Sequence, residues 1–220
     1  MIPLKAMLFD FDGVIVDTEP AIYQAWKELY DDYGQQLSVE EWRGTVGTRD
    51  LLDPGARLAE SIGTGAAGAA LLEAIADARS MELALDLDVA PGVLEWVEGA
   101  TRMGIPLGVV SSSHETWVRA HLDARQLTSK FTAVVCWTEG RRPKPHPELY
   151  LLALSALGVR AADSIAIEDS QYGLAAAVGA GIPTVAVPSE LTKAMDFSAA
   201  QWRFRQLSDV SLGTFLGGRY

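Results

Sequence analysis

The sequence predicts an α/β protein, a Rossmann-like doubly wound parallel sheet with an inserted helical segment, and three observations carry that expectation. Short apolar runs recur at 4–9, 106–110, 132–137, 164–167 and 183–187, and helical patterns separate the last four. Residues 18–87, by contrast, carry helical patterns and no convincing strand. Several apolar runs also end in acids or serines, and the carboxyl ends of strands are where doubly wound sheets bind ligands.

The first run is almost wholly apolar, as a strand covered on both faces would be. It leads into Asp10, Phe11, Asp12 and Gly13, where strand alternation would present both carboxylates on one side and turn Phe11 away. Over 20–32, Ile22, Trp26, Leu29 and Tyr33 recur at helical spacing, with Pro20 in the first turn where its missing N–H costs nothing. Ser38 followed by Glu41 is a capping-box pattern that opens a short helix. Thr48 with Leu51, Leu52 and Leu58 predicts a third helix, closed by Gly63 and Gly65. The stretch 66–87 is rich in alanine and leucine and free of proline, so it reads as one long helix carrying Arg79 and Glu82. Pro91 and Gly92 mark the return, and 93–103 reads as a helix closed by Gly104. The later strands then alternate with helices at 115–123, 148–157 and 172–178; the tail beyond Phe197 has no assignable pattern. The helical stretch 18–87 thus separates 1–17 from the alternating region 88–220.

Composition excludes several classes. A hydrophobic content of 49% argues against disorder, and a formal net charge of −11 argues against nucleic-acid or anionic-membrane binding, with 141–144 (RRPK) a local exception. Cys136 is the only cysteine, so no intrachain disulfide or multi-cysteine zinc site forms, and a cytoplasmic location is expected. Lys5 interrupts the first apolar run and Asp10 and Asp12 end it, unlike a secretory signal. The apolar stretch 173–188 is broken by Gly179, Gly181 and Pro183 and falls short of the roughly 20 residues a membrane span needs. The oligomeric state is not legible; a monomer is compatible with the sequence.

The first strand ends at Asp10 and Asp12, the second at Ser111, Ser112 and Ser113, and the fourth at Glu168, Asp169 and Ser170, while Lys144 follows the third after a short loop. Hard oxygen ligands without histidine or cysteine favour magnesium. Asp10, Glu168, Asp169 and a phosphate monoester would leave an excess negative charge even after magnesium and Lys144. Helix N-termini after Ser111 and Ser170 are placed to offset it. Asp10 can then attack phosphorus as a carboxylate nucleophile, and Asp12 can give a proton to the leaving alcohol and later take one from water.

Four segments, DFDGVIVDTEP, VVSSS, RRPKPHPELY and IAIEDSQYGLAAAVGAGIP, together resemble the four ordered motifs of the haloacid dehalogenase superfamily, across essentially the whole chain. The resemblance implies Asp10 as nucleophile, Asp12 as acid/base, Ser111 as phosphate donor, Lys144 as charge bridge, and Glu168 with Asp169 as the magnesium end. The Asp12 backbone carbonyl would complete the metal contacts, and the resemblance makes 1–17 and 88–220 the catalytic core and the helical residues 18–87 a cap inserted after the first motif. Gly13, Thr18, Arg49, Ser111, Ser112 and Lys144 form the expected phosphate and substrate set. Within the superfamily the chain is most similar to the beta-phosphoglucomutase-like group. There GTRDLL places Arg49 where mutases grip phosphate, but Ile22 stands where mutases carry a histidine that limits hydrolysis. That favours a phosphatase acting on a small phosphorylated metabolite such as a sugar or polyol phosphate, with a phosphomutase, then a non-catalytic phosphate-binding protein, as alternatives.

Each motif alone has a plainer reading. A lone DxDG could open a calcium loop, but Val14 and Ile15 stand where that loop needs Asp or Asn and then Gly. Ser111 to Ser113 could cap a helix, and no GxSxG surrounds them. Glu168 and Asp169 could merely favour the next helix N-terminus. His114, His121 and His146 lack metal-ligand spacing, with His114 and His146 candidate rim residues; Arg79 is a weak substrate candidate, and the six tryptophans read as packing.

Overall fold

The computed structural model describes residues 4–48, 51 and 53–218. In chain order, β1 (Ala6–Phe9) is followed by α1 (Glu19–Asp32), α2 (Val39–Arg43), α3 (Pro54–Ile62) and α4 (Gly65–Ala84). Then come α5 (Val93–Arg102), β2 (Leu107–His114), α6 (Glu115–Ala124), β3 (Ala133–Trp137) and α7 (Glu148–Leu157). The chain closes with β4 (Ser164–Glu168), α8 (Gln171–Gly179), β5 (Thr184–Ala186), β6 (Trp202–Arg203) and α9 (Leu212–Leu216). The strands form one parallel sheet in the order β3-β2-β1-β4-β5-β6. The chain therefore steps outward from β1 on one side and returns to β4 on the other, which opens a crevice at the carboxyl end of β1.

Apolar strands are explained by cover on both faces. Met7 and Phe9 of β1 join a cluster with Trp96, Val109, Ile167 and Val185, while Leu8 between them joins Val110, Tyr150, Leu154 and Ala177 on the other side. The helices between β1 and α5 have their own core of Trp26, Leu29, Tyr30, Trp42, Leu58 and Leu72, against which Leu191 and Met195 also pack. Residue choice explains their ends. Ser38 and Glu41 form the expected capping box, and Asp53 caps α3 with Pro54 in its first turn.

Three elements differ from expectation. The third helix begins at Pro54 rather than near Thr48, because Asp53 and Pro54 supply a stronger start than the leucines before them. Strand β2 continues past Val110 through the serines to His114. The described part of the tail forms elements of its own: β6 extends the sheet edge, Phe215 of α9 packs at a tilt on Trp96 and edge-on against Trp202 at ring-centroid distances of 5.1 Å, and Trp96 Nε1 donates to Val210 O at 2.9 Å. Among the described residues, no helix is long and apolar enough to cross a membrane.

Candidate active site

Strand β1 stops at Phe9, short of Asp10 and Asp12, so strand alternation does not set their carboxylates. Asp10 N still donates to Ile167 O at 2.9 Å, which fixes Asp10 beside β4, and Phe11 turns into the core. Gly13, at φ +86°, closes a turn in which its N–H donates to Val16 O at 2.7 Å. Asp10 and Asp12 thus leave the sheet on a loop, and their carboxylates acquire different neighbours.

Lys144, from the loop before α7, is fully buried and spends all three ammonium hydrogens. Its Nζ donates to Asp10 Oδ1 at 2.6 Å, Glu168 Oε1 at 2.7 Å and Val110 O at 2.9 Å. Tyr150, in the first turn of α7, adds a 2.6 Å hydrogen bond to the same Glu168 oxygen. One ammonium faces three carboxylates, since Asp169 joins Asp10 and Glu168 with one oxygen of each within 4.8 Å of the others. Burial and the charge of Glu168 push Asp10 up to about 8 against the pull of Lys144. Burial, then the charge of Asp10, raises Asp169 well above the usual carboxylate range. Burial opposes the charge on Lys144, but Asp10 and Glu168 outweigh it and hold the ammonium protonated.

This cluster fits a hard divalent cation. Glu168 Oε2 and Asp169 Oδ1 are buried without a hydrogen-bond partner, an arrangement costly enough to call for a positive ligand. The space around them depends on glycine: a Cβ on Gly13 would sit 2.2 Å from Asp169 Oδ2, and one on Gly173 would sit 1.9 Å from Glu168 Oε2. All-carboxylate donors of this kind suit magnesium.

Asp12 lies outside that cluster. Its Oδ1 accepts from Thr18 Oγ1 at 2.6 Å and from Trp117 Nε1 at 2.8 Å, and its Oδ2 from Ser113 Oγ at 2.6 Å and Ser111 Oγ at 3.3 Å. The serines reach it because the β2–β3 register jumps between Ser111 and His114, with Ser111 opposite Cys136 and His114 already opposite Trp137. A bulge of this sort re-aims side chains out of the ladder. Ser111 is fully buried and accepts from Ser113 N at 2.9 Å, and Ser112 Oγ is buried without a partner. The serines do not cap α6, whose N-cap is His114.

Asp10, Asp12 and Lys144 form the floor of a cavity of about 380 Å³, bordered on the core side by Ser112, Ser113, His114 and Trp117. Its opposite wall comes from the segment between β1 and α5: Ile22, Trp26 and Trp42 with Glu19, Asp53, Glu73, Asp77 and Ser80. Trp42 Nε1 donates to Glu19 Oε2 at 3.2 Å, and burial followed by the charge of Asp12 pushes Glu19 up to about 8. The wall touches the core directly, with Thr48 Oγ1 donating to Lys144 O at 2.7 Å and Tyr172 OH to Gly44 O at 3.0 Å.

Of the expected residues, Asp10, Lys144, Glu168 and Asp169 converge, and Asp12, Thr18 and Ser111 meet one another beside them. Gly13 shapes the pocket of Asp169, and Arg49 lies outside the described residues. Arg79 instead ties α4 to α1 through Glu28 at 2.9 Å. His114 borders the cavity, while His146 Nδ1 accepts from Glu148 N at 3.2 Å. Sequence reasoning placed Ser113 at a strand end without giving it a role, and it missed Trp117, Tyr150 and Glu19. Their only signal is position, within about a turn of a residue already singled out.

A parallel sheet that gathers three carboxylates and one ammonium at its carboxyl edge carries the donor set to hold a divalent cation beside a phosphate ester. The chain belongs to the haloacid dehalogenase-like hydrolases, whose family profile matches residues 7–187. It is 34% identical over 218 residues to protein CbbY of Rhodobacter capsulatus, spanning 93% of this chain and 94% of that one. It is 30% identical over 194 residues to fructose-1-phosphate phosphatase YqaB of Escherichia coli, spanning 82% and 95%. A crystal structure of a CbbY mutant from Rhodobacter sphaeroides in complex with xylulose-(1,5)bisphosphate is similar with a TM-score of 0.81 at 25% identity, over 94% of this chain and 96% of that one.

Proposed function

We propose that this protein is a magnesium-dependent phosphatase of a small sugar or polyol phosphate, acting through a phosphoaspartate on Asp10, with residues 18–87 serving as a cap over the site. The observation that carries this reading is Lys144, buried between Asp10 and Glu168 at the cavity floor. It orients Asp10 through Oδ1 and lowers the repulsion between a carboxylate nucleophile and an anionic ester. Asp10 attacks phosphorus as the P–O bond to the alcohol breaks, and Asp12 gives its proton to the departing oxygen. Asp12 then takes a proton from the water that attacks the phosphoaspartate, which returns Asp10 and releases inorganic phosphate. Bound magnesium, held by Asp10, Glu168, Asp169 and the Asp12 carbonyl, would supply charge for the phosphoryl oxygens. Ser112, whose hydroxyl lacks a partner, is the better candidate phosphate donor than Ser111, which is engaged with Asp12.

Size and lining support the substrate class. About 380 Å³ suits a small metabolite, and tryptophans beside carboxyl groups suit the apolar faces and hydroxyls of a polyol. Ile22 borders the cavity where a mutase would place histidine, which favours release of phosphate over its return to the sugar. Buried Cys136, with no second cysteine in the chain, is in keeping with a cytoplasmic site of action. The reading is tested with a panel of sugar and polyol phosphates in the presence of magnesium. Inorganic phosphate from a sugar 1-phosphate is expected; conversion to the 6-phosphate without phosphate release would overturn it in favour of a mutase.

A further inference from the structure

We infer that Trp117 is a positioning residue for proton delivery: its indole N–H holds Asp12 in the orientation from which Asp12 serves the leaving alcohol. The inference rests on the acid/base role proposed for Asp12 and adds to it a residue that the four motifs do not contain.

The geometry begins at the β2 bulge. By displacing Ser112 and Ser113 from the ladder, it brings the first turn of α6 against the loop that carries Asp12. There Trp117 Nε1 meets Asp12 Oδ1 at 2.8 Å, and Trp117 borders the same cavity as Asp10 and Asp12. The ring is held from behind by His121, one turn further along α6, at 4.4 Å between centroids in an edge arrangement. His121 is itself fixed by the Phe11 ring at 5.7 Å and by Arg125, whose Nη1 lies 3.1 Å from His121 Nδ1 and donates to the His121 carbonyl at 3.0 Å. An aromatic side chain backed in this way has little freedom to follow Asp12 elsewhere.

Donor chemistry separates Trp117 from the other three partners. Thr18, Ser111 and Ser113 are hydroxyls, which can turn and accept when Asp12 carries a proton, whereas an indole N–H only donates. Oδ1, facing the indole, is therefore the oxygen that stays an acceptor, and Oδ2, among the serines, is the oxygen suited to carry the transferred proton. Without the indole N–H, Oδ1 keeps only Thr18, and the carboxyl plane is free to rotate. Displacement of a reacting group by about 1 Å can cost on the order of a hundredfold in rate.

The test exploits leaving-group chemistry. Protonation matters for an alkoxide and little for a stable aryloxide, so release of the leaving group in a single saturating turnover is compared between a sugar or polyol phosphate and p-nitrophenyl phosphate. Trp117→Phe, which keeps an aromatic ring against His121, is expected to slow the alkyl ester about 10- to 100-fold and the aryl ester by less than about threefold. The same comparison in Asp12→Asn is expected to show a still larger selective loss on the alkyl ester, about 10²- to 10⁴-fold. If Asp12→Asn shows the selective loss and Trp117→Phe does not, the role of Trp117 is overturned while the chemistry of Asp12 stands. If neither shows it, the acid role itself is wrong. Equal loss on both esters in Trp117→Phe would reveal a structural residue, and a change in KM alone would reveal a substrate-stacking surface; either overturns the inference.

Discussion

His121 shows how a single side chain records its surroundings. It is fully buried, its Nε2 has no partner, and burial together with the Arg125 charge pulls it down to about 4. The sign follows directly. As pH falls from about 7 towards 4, the unfolded chain takes up a proton that the folded chain refuses, so stability is lost across that window and levels off below it. A depression of this size corresponds to about 3–4 kcal/mol. Chemical denaturation of the wild type and His121→Phe at several pH values should show that difference shrinking in the variant; identical slopes would refute it. Asp10, Lys144, Glu168 and Asp169 were legible because each follows an apolar run, and topology guarantees that strand ends meet. The partners of Asp12 were not, since Trp117 looks like any packing tryptophan until a bulge in another strand aims α6 at the loop.

At the level of elements, α8 begins under constraint. Ser170 caps it by accepting from Gly173 N at 3.1 Å, and the bare Cα of Gly173 leaves room for Glu168. Alanine there would raise helix propensity by about 1 kcal/mol. Its methyl group would also press on a glutamate whose other oxygen is pinned by Lys144 and Tyr150. Gly173→Ala should therefore keep its circular dichroism and lose about 10- to 100-fold in magnesium affinity or activity; an unchanged variant would show that Glu168 has another place to go. Helix α7 matches its sequence reading at both ends because Gly158 halts a long apolar pattern. Strand β2 was cut short because its last residues are serines, which carry no strand signal once a bulge frees them from alternation. Strand β6 is two residues at a sheet edge, too short for any period to register.

Over the whole molecule, acidity is concentrated where it needs an ion. The chain has a formal charge of −11, and the buried cluster beside its cavity holds Asp10, Glu168 and Asp169 against one ammonium. Magnesium should bind the folded chain in preference to the unfolded one, and a hundredfold excess over its Kd contributes about 2.7 kcal/mol. Thermal unfolding should shift upward by several degrees on adding magnesium and return with chelator, and Asp169→Asn should abolish most of the shift. An equal shift in that variant would locate the ion elsewhere. The hydrogen bonds from Thr48 to Lys144 O and from Tyr172 to Gly44 O join the segment between β1 and α5 to the sheet core. The proposed reaction depends on Asp10 accepting the phosphoryl group. Quenching a single turnover in acid, reducing the product with borohydride and mapping the peptides tests it most directly. Homoserine at position 10 is the expected result. An unmodified Asp10 during turnover, with inversion of configuration at phosphorus, would contradict it and assign the attack to water.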